Sequence, residues 1–404
     1  MTAPSRQTAE PAGAFQATGA PVAEALREAV GFARDWAGDG LVALLLSGSH
    51  ATGEAVWFER DGRRFTLSDV DLYAVMRDAG ACRSAAERAR RGRAAAAARL
   101  ADAGIEAPLE VGFLTPDGLS RMAARPGTIE LVRHGVAVAG DATVLGRVPR
   151  FSPREVPAEE AALLLENRGF ELLDAWPRLL SPDARDRMQA RHATLKAAAD
   201  LAAVLALRAG ELPDGTAARI EWARSRASET LGRALPPDLA DVPMGLDRLW
   251  ASCVAWRGGE GEVPGIDEAA GEWRRAVRAW CAVWWWCFAD RGREPWERAL
   301  RVAARAPLPR RLRRGLFAPG PGSPARRARL ALAGTPQHRV NASGAILLLA
   351  SAASAGPPAL SAGALRALLA LGVTSSAGWD DARRDVLAAW DTVVLGGQRR
   401  AGTR

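Results

Sequence analysis

The chain has 404 residues, 48% hydrophobic and 25% charged, a balance that excludes a disordered or collagen-like polypeptide. At about 150 residues per domain it has room for roughly two to three domains and a large core. Its formal net charge of +8 is local: residues 291–329 hold 12 Arg against Glu294 and Glu297, so the remainder sums to −2 and a uniformly cationic surface is excluded. Lys196 is the only lysine among the 54 basic residues, so arginine density by itself says little about function.

Residues 1–20, mostly Ala, Pro, Thr and Gln without periodicity, read as a disordered lead-in. Pro21–Trp36 sets Val22, Leu26, Val30 and Ala33 on one helical face, and Gly38-Asp39-Gly40 stops it. Leu41–Leu46 is the apolar run of a buried strand, followed by a Ser47-Gly48-Ser49 turn and a short helix expected within His50–Val56. Asp61-Gly62 inside Trp57–Leu67 marks a hairpin. Ser68–Met76 and Pro108–Leu114 are the next strands, with an Ala- and Arg-rich helix, Cys82–Ala103, between them. Two short helices and an edge strand with its turn, Val136–Asp141, follow.

Beyond Pro149 the pattern is helical, clearest in Glu159–Leu173, Pro182–Ala209, Ala217–Leu231, Asp267–Ala289 and Trp296–Arg305, with a loop at Gly315–Pro324. The expected class is α+β: a small mixed-sheet domain over 21–150, helices over 151–235, and a further helical region over 236–404. The aromatic stripe Trp273, Trp280, Trp284–Trp286, Phe288 and Trp296 reads as helical core or a dimer seam. Cys82, Cys253, Cys281 and Cys287 are too few for a disulfide framework and contain no CxxC pair. With no apolar signal segment at the start and no apolar run of about 18 residues, the expectation is a cytoplasmic protein without membrane contact.

Three features fall in order on the strands. Gly48-Ser49 ends a buried strand and opens a helix, where a side-chain-free backbone and exposed N–H groups favour a phosphate. In Asp69-Val70-Asp71 the alternate side chains share a face, so two carboxylates project together and invite a divalent cation. Mg²⁺ takes one or two carboxylates and completes its shell with substrate phosphates. Glu110 is the only charge in Leu109–Leu114, and a lone acid in a buried strand is costly unless it is paired or binds metal. Glu106 competes for that role but lies in the preceding turn.

The strings SGSHATGEA, SDVDLYAVM and LEVGF, within roughly residues 41–115, resemble the nucleotidyltransferase superfamily related to DNA polymerase β. HGVAVAGDATVLGRVP is similar to the end of that domain in bacterial members. EEAALLLENRGFELL and RHATLKAAADLAAVLAL resemble the helical partner domain of small-molecule nucleotidyltransferases, the aminoglycoside-modifying ones included.

The resemblance implies Mg²⁺ held by Asp69 and Asp71, with Glu110 as third ligand or general base. It places Gly48, Ser49 and Ser68 at the nucleotide, and Lys196 across the cleft from the helical domain. The implied reaction moves a nucleoside monophosphate, AMP from ATP, onto a hydroxyl of a small molecule, with pyrophosphate leaving. The 19 residues between Ser49 and Asp69 exceed the family's usual spacing, and the Trp57–Leu67 hairpin absorbs the excess.

Two alternatives remain open. One is transfer to tRNA or protein, with Arg310, Arg311, Arg313 and Arg314 contacting RNA; the other is a non-catalytic nucleotide-binding module on the same fold. The Arg-rich stretch 301–329 reads more simply as a solvated basic face, Asn167-Arg168 as helix packing, and His50 as a solvated side chain.

Overall fold

A computed structural model describes residues 20–60, 63–231, 241–258, 263–288 and 378–388, with isolated positions between them. They fall into two compact units. One comprises the described residues through Pro157, together with a short stretch from Ala255; the other comprises Ala158–Val254 and the described residues after 262. The second unit includes residues on both sides of position 235. Trp296–Arg305, Gly315–Pro324 and the arginines at 310, 311, 313 and 314 lie outside the described residues, as does most of the lead-in.

The first unit runs α1 (Ala20–Ala37), β1 (Leu41–Ser47), α2 (Gly48–Thr52), β2 (Trp57–Arg60), β3 (Arg63–Thr66), β4 (Val70–Met76), α3 (Ala79–Asp102), β5 (Leu109–Leu114), α4 (Pro116–Ser120), α5 (Pro126–His134) and β6 (Val136–Gly140). The main sheet has the order β5-β4-β1-β6. β1 is antiparallel to both neighbours, while β4 and β5 are parallel and joined through α3. A parallel pair needs such a crossover, which is why the long Ala-rich helix sits between these two strands.

Side-chain alternation divides the sheet cleanly. Leu44, Leu46, Val70, Leu72, Ala74 and Met76 pack under α1 and α3 against Leu26, Trp36 and Leu100. Ala43, Leu45 and Val75 face the other way, against Leu119 and Leu131. Asp71 and Tyr73 share the face of Val75, at the end of β4 where it begins.

The helix ends are satisfied by specific groups. Arg88 of α3 donates to the Trp36 and Ala37 carbonyls at 2.6 and 2.8 Å, taking two orphan acceptors at the end of α1. Asp78 caps α3 by accepting from the Ala81 N–H at 2.8 Å. The hairpin forms as its pattern predicts, β2 pairing with β3 and Phe58 stacked on Phe65 with centroids 5.5 Å apart. Its Asp61-Gly62 turn lies outside the described residues. α2 begins two residues earlier than expected and stops at Thr52, because Gly53 takes a left-handed φ of 74°.

The second unit is helical: α6 (Ala158–Leu179), α7 (Ala184–Arg208), α8 (Thr216–Leu231), most of α9 (Val242–Arg257) and α10 (Ile266–Phe288). α7 supplies a run of small buried residues, Ala197, Ala198, Ala199, Ala202, Ala203 and Ala206, that lets its neighbours approach closely. Against it stands a tryptophan core. Trp250, Trp273 and Trp280 are fully buried, and each donates its indole N–H to a helix carbonyl, of Ala198, Leu172 and Leu165 respectively, at 2.8–2.9 Å. The described part of the stripe is therefore core, although Trp285 and Trp286 are only half-buried.

Gly169 on α6 leaves room for Trp280, whose Cζ2 would lie 3.0 Å from a Cβ there. Trp280→Ala is expected to cost about 3–5 kcal/mol, as truncation of a buried aromatic does. Chemical denaturation followed by tryptophan fluorescence measures it, and a cost near zero would contradict this core.

α6 extends six residues past its expected end and carries Pro177 inside it. Proline removes the N–H that would bond the Leu173 carbonyl. The Arg383 guanidinium donates to that carbonyl at 3.3 Å instead, so the turn survives. Arg168 is held in ion pairs with Glu171 and Asp200, in keeping with a packing role. Among the described residues no helix is long and apolar enough to cross a membrane.

Candidate functional site

The strand register builds the site. Ser47 pairs with Asp71 across β1 and β4, and Asp71 pairs with Glu110 across β4 and β5. Hydroxyl and carboxylates therefore form one row across the sheet, at the end where β1 turns into α2. Gly48 makes that turn with φ 66°, a region open to glycine at little cost. A Cβ at Gly48 would collide with the Asp71 carboxylate. The glycine turn and the acidic strand are thus fitted to one another, with the carboxylate occupying the space glycine leaves.

The segment between them is anchored by hydrogen bonds. The Ser68 hydroxyl accepts from the Val56 N–H at 2.9 Å, and the Ser68 N–H donates to the Thr66 hydroxyl at 3.1 Å. Thr66 in turn donates to the Val56 carbonyl at 3.0 Å. Ser68 is buried, so its oxygen holds the hairpin base against the start of β4. Asp69 follows directly, half-buried.

His50 is buried, which corrects its reading as a solvated side chain. Its ring packs edge-on to Trp57 at 5.7 Å, and Nε2 lies 3.2 Å from the Ser68 carbonyl. A carbonyl only accepts, so Nε2 carries a proton. Burial lowers the His50 pKa, against smaller opposing effects of the Ser68 carbonyl and the Asp69 charge. The unfolded chain therefore takes up this proton at a higher pH than the folded one. His50 leaves stability intact above its ordinary value of 6.5 and erodes it as pH falls below that value toward the lowered folded-state pKa. Urea unfolding compared between about pH 8 and 5 should show this slope in the native chain and a smaller one in His50→Gln; equal slopes would refute it.

Glu110 departs from expectation. β5 is an edge strand and Glu110 is exposed, so burial does not force it to find a cation. Glu106 is half-buried in the turn before β5, with its N–H bonded to the Thr66 carbonyl at 3.2 Å. Among the described residues no group of three or more His, Cys, Asp or Glu side chains is gathered to hold a metal. Two aspartates one pleat apart, beside a glycine turn, still fit a hard divalent cation that completes its shell with phosphate oxygens.

Sequence reasoning passed over Tyr73 and Arg125. Tyr73, the only tyrosine, follows Asp71 on the same face and lies opposite Gly112, where a Cβ would stand 3.1 Å from its ring. Burial raises the Tyr73 pKa; Asp71 adds to the rise, Arg125 at the start of α5 opposes it, and Glu110 adds again. These four side chains therefore share one electrostatic neighbourhood. The cue was available: a lone tyrosine two residues after the acidic pair must face the same side.

Lys196 lies on α7 in the second unit, half-buried. Burial raises the pKa of Asp200, one turn along the helix, but Arg168, then Lys196 and Arg219, outweigh that and bring it below its ordinary value. Lys196 thus takes part in a charge cluster of the helical unit. Comparison with protein-family models finds no match, and comparison with curated proteins finds none either.

Proposed function

We propose that the chain is a Mg²⁺-dependent nucleotidyltransferase that moves AMP from ATP to a hydroxyl of a small molecule, releasing pyrophosphate. The observation that carries this is the fit of the Asp71 carboxylate into the space left by Gly48. A phosphate-binding turn and a metal-binding carboxylate must be neighbours for one triphosphate to meet both. The register row Ser47–Asp71–Glu110 supports the same function, as does the resemblance of residues 41–115 to the superfamily.

In this function the Gly48 and Ser49 amides bind the β- and γ-phosphates. Asp69 and Asp71 hold the metal, which when bound supplies charge neutralisation at the phosphates. The acceptor oxygen forms a bond to the α-phosphorus as the bond to pyrophosphate breaks. Glu110, exposed on the edge strand, takes the acceptor proton. His50 and Ser68 position the turn and the acidic strand through the contact of the His50 ring with the Ser68 carbonyl.

The test is incubation with Mg²⁺ and each labelled NTP, with a panel of small hydroxyl compounds, bulk tRNA and the protein itself as acceptors. Label on a small molecule with matching pyrophosphate supports the proposal. Label on tRNA or protein keeps the chemistry and changes the acceptor. No Mg²⁺-dependent NTP binding rejects the function.

A further inference from the structure

A cavity of about 330 Å³ opens beside α5, lined by Ile129, Val132, Arg133, Arg150 and Phe151. Ile129, Val132 and Arg133 stand at i, i+3 and i+4, so one face of α5 provides three of the five walls. Ile129 is buried, Val132 and Phe151 are half-buried, and both arginines are exposed. The floor is therefore apolar and aromatic, while the rim carries two guanidinium groups and no acid. Arg150 makes no ion pair with any described residue. The volume is at the small end of ligand pockets. None of the five residues belongs to the carboxylate and glycine set described above.

We propose that this cavity binds a small aromatic anion, with its ring on Ile129, Val132 and Phe151 and its carboxylate or phosphate against the Arg150 guanidinium. A guanidinium fork matches two oxygens of either head group. The ring covers the apolar floor and packs against Phe151 in offset or edge-on geometry. An inorganic anion lacks that second contribution, and a neutral ring lacks the first. With no carboxylate in the lining, binding needs no metal. The site stands whether or not the chain transfers nucleotides.

Titration calorimetry of the full chain in EDTA, with phenyl phosphate and benzoate as probes, tests it. One equivalent of at least one probe should bind with Kd below about 1 mM, and the tighter of the two identifies the head group. Arg150→Ala should weaken it about tenfold, since a charge-assisted bond is lost from an exposed side chain. Inorganic phosphate and phenol should bind more weakly than the probes, and Asp69→Asn/Asp71→Asn should bind them like the native chain. The proposal is overturned if neither probe saturates, if Arg150→Ala binds unchanged, or if inorganic phosphate binds as well as phenyl phosphate.

Discussion

Asp71→Asn is expected to lower Mg²⁺-dependent pyrophosphate release by about 10²–10³-fold, the usual cost of removing one group that stabilises charge developing in a transition state. The substitution keeps the side chain's size, so the space beside Gly48 stays filled and β4 keeps its pairing with β1 and β5. Its effect should fall on the metal requirement, with the fold retained. Glu110→Gln offers the contrast. Glu110 is exposed on the edge strand and is proposed as the base, so its loss should reduce the chemical step without changing the Mg²⁺ concentration needed. Initial rates against Mg²⁺ separate the two. An Asp71→Asn enzyme with native rates would remove Asp71 from the reaction.

Gly48→Ala should damage the fold and the candidate site together. Two costs combine. A left-handed φ costs an L-residue about 1–2 kcal/mol, and the new Cβ would occupy the place of the Asp71 carboxylate. Gly53→Ala is the control: Gly53 is also left-handed, with φ 74°, but nothing lies within 4 Å of its Cβ position. Gly53→Ala should lose stability alone, whereas Gly48→Ala should lose stability and displace Asp71, with activity falling toward that of Asp71→Asn. Denaturation curves and release rates on both variants decide it. Equal activity in the two would show that the fit between turn and carboxylate has no functional role.

Local pattern predicted more than non-local pairing did. A continuous apolar run was enough to find β1, period-two alternation was enough to assign the faces of β4 and β5, and Asp-Gly between alternating residues was enough to find the β2–β3 hairpin. The side shared by Asp69 and Asp71 followed from the same alternation. The exposure of Glu110 did not, because it depends on which strand ends at the edge of the sheet, and strand order is decided by pairing across long stretches of chain.

His50 was misjudged for a related reason. Trp57 and Ser68, which bury it, come from the hairpin base and the start of the acidic strand, 7 and 18 residues away. α6 was ended early because a proline usually stops a helix, and the group that compensates, Arg383, is 210 positions from the carbonyl it reaches. α9 escaped notice although its pattern was legible: Leu246, Leu249, Trp250 and Cys253 stand at i, i+3, i+4 and i+7 and form one buried face, while Met244 is largely exposed.

The most direct test of the central claim is equilibrium binding of ATP with and without Mg²⁺, on the native chain and on Asp69→Asn/Asp71→Asn. Tighter binding with Mg²⁺ in the native chain, and loss of that enhancement in the double variant, is the predicted result. An enhancement that survives without both aspartates, or no Mg²⁺ enhancement in the native chain, would contradict the account.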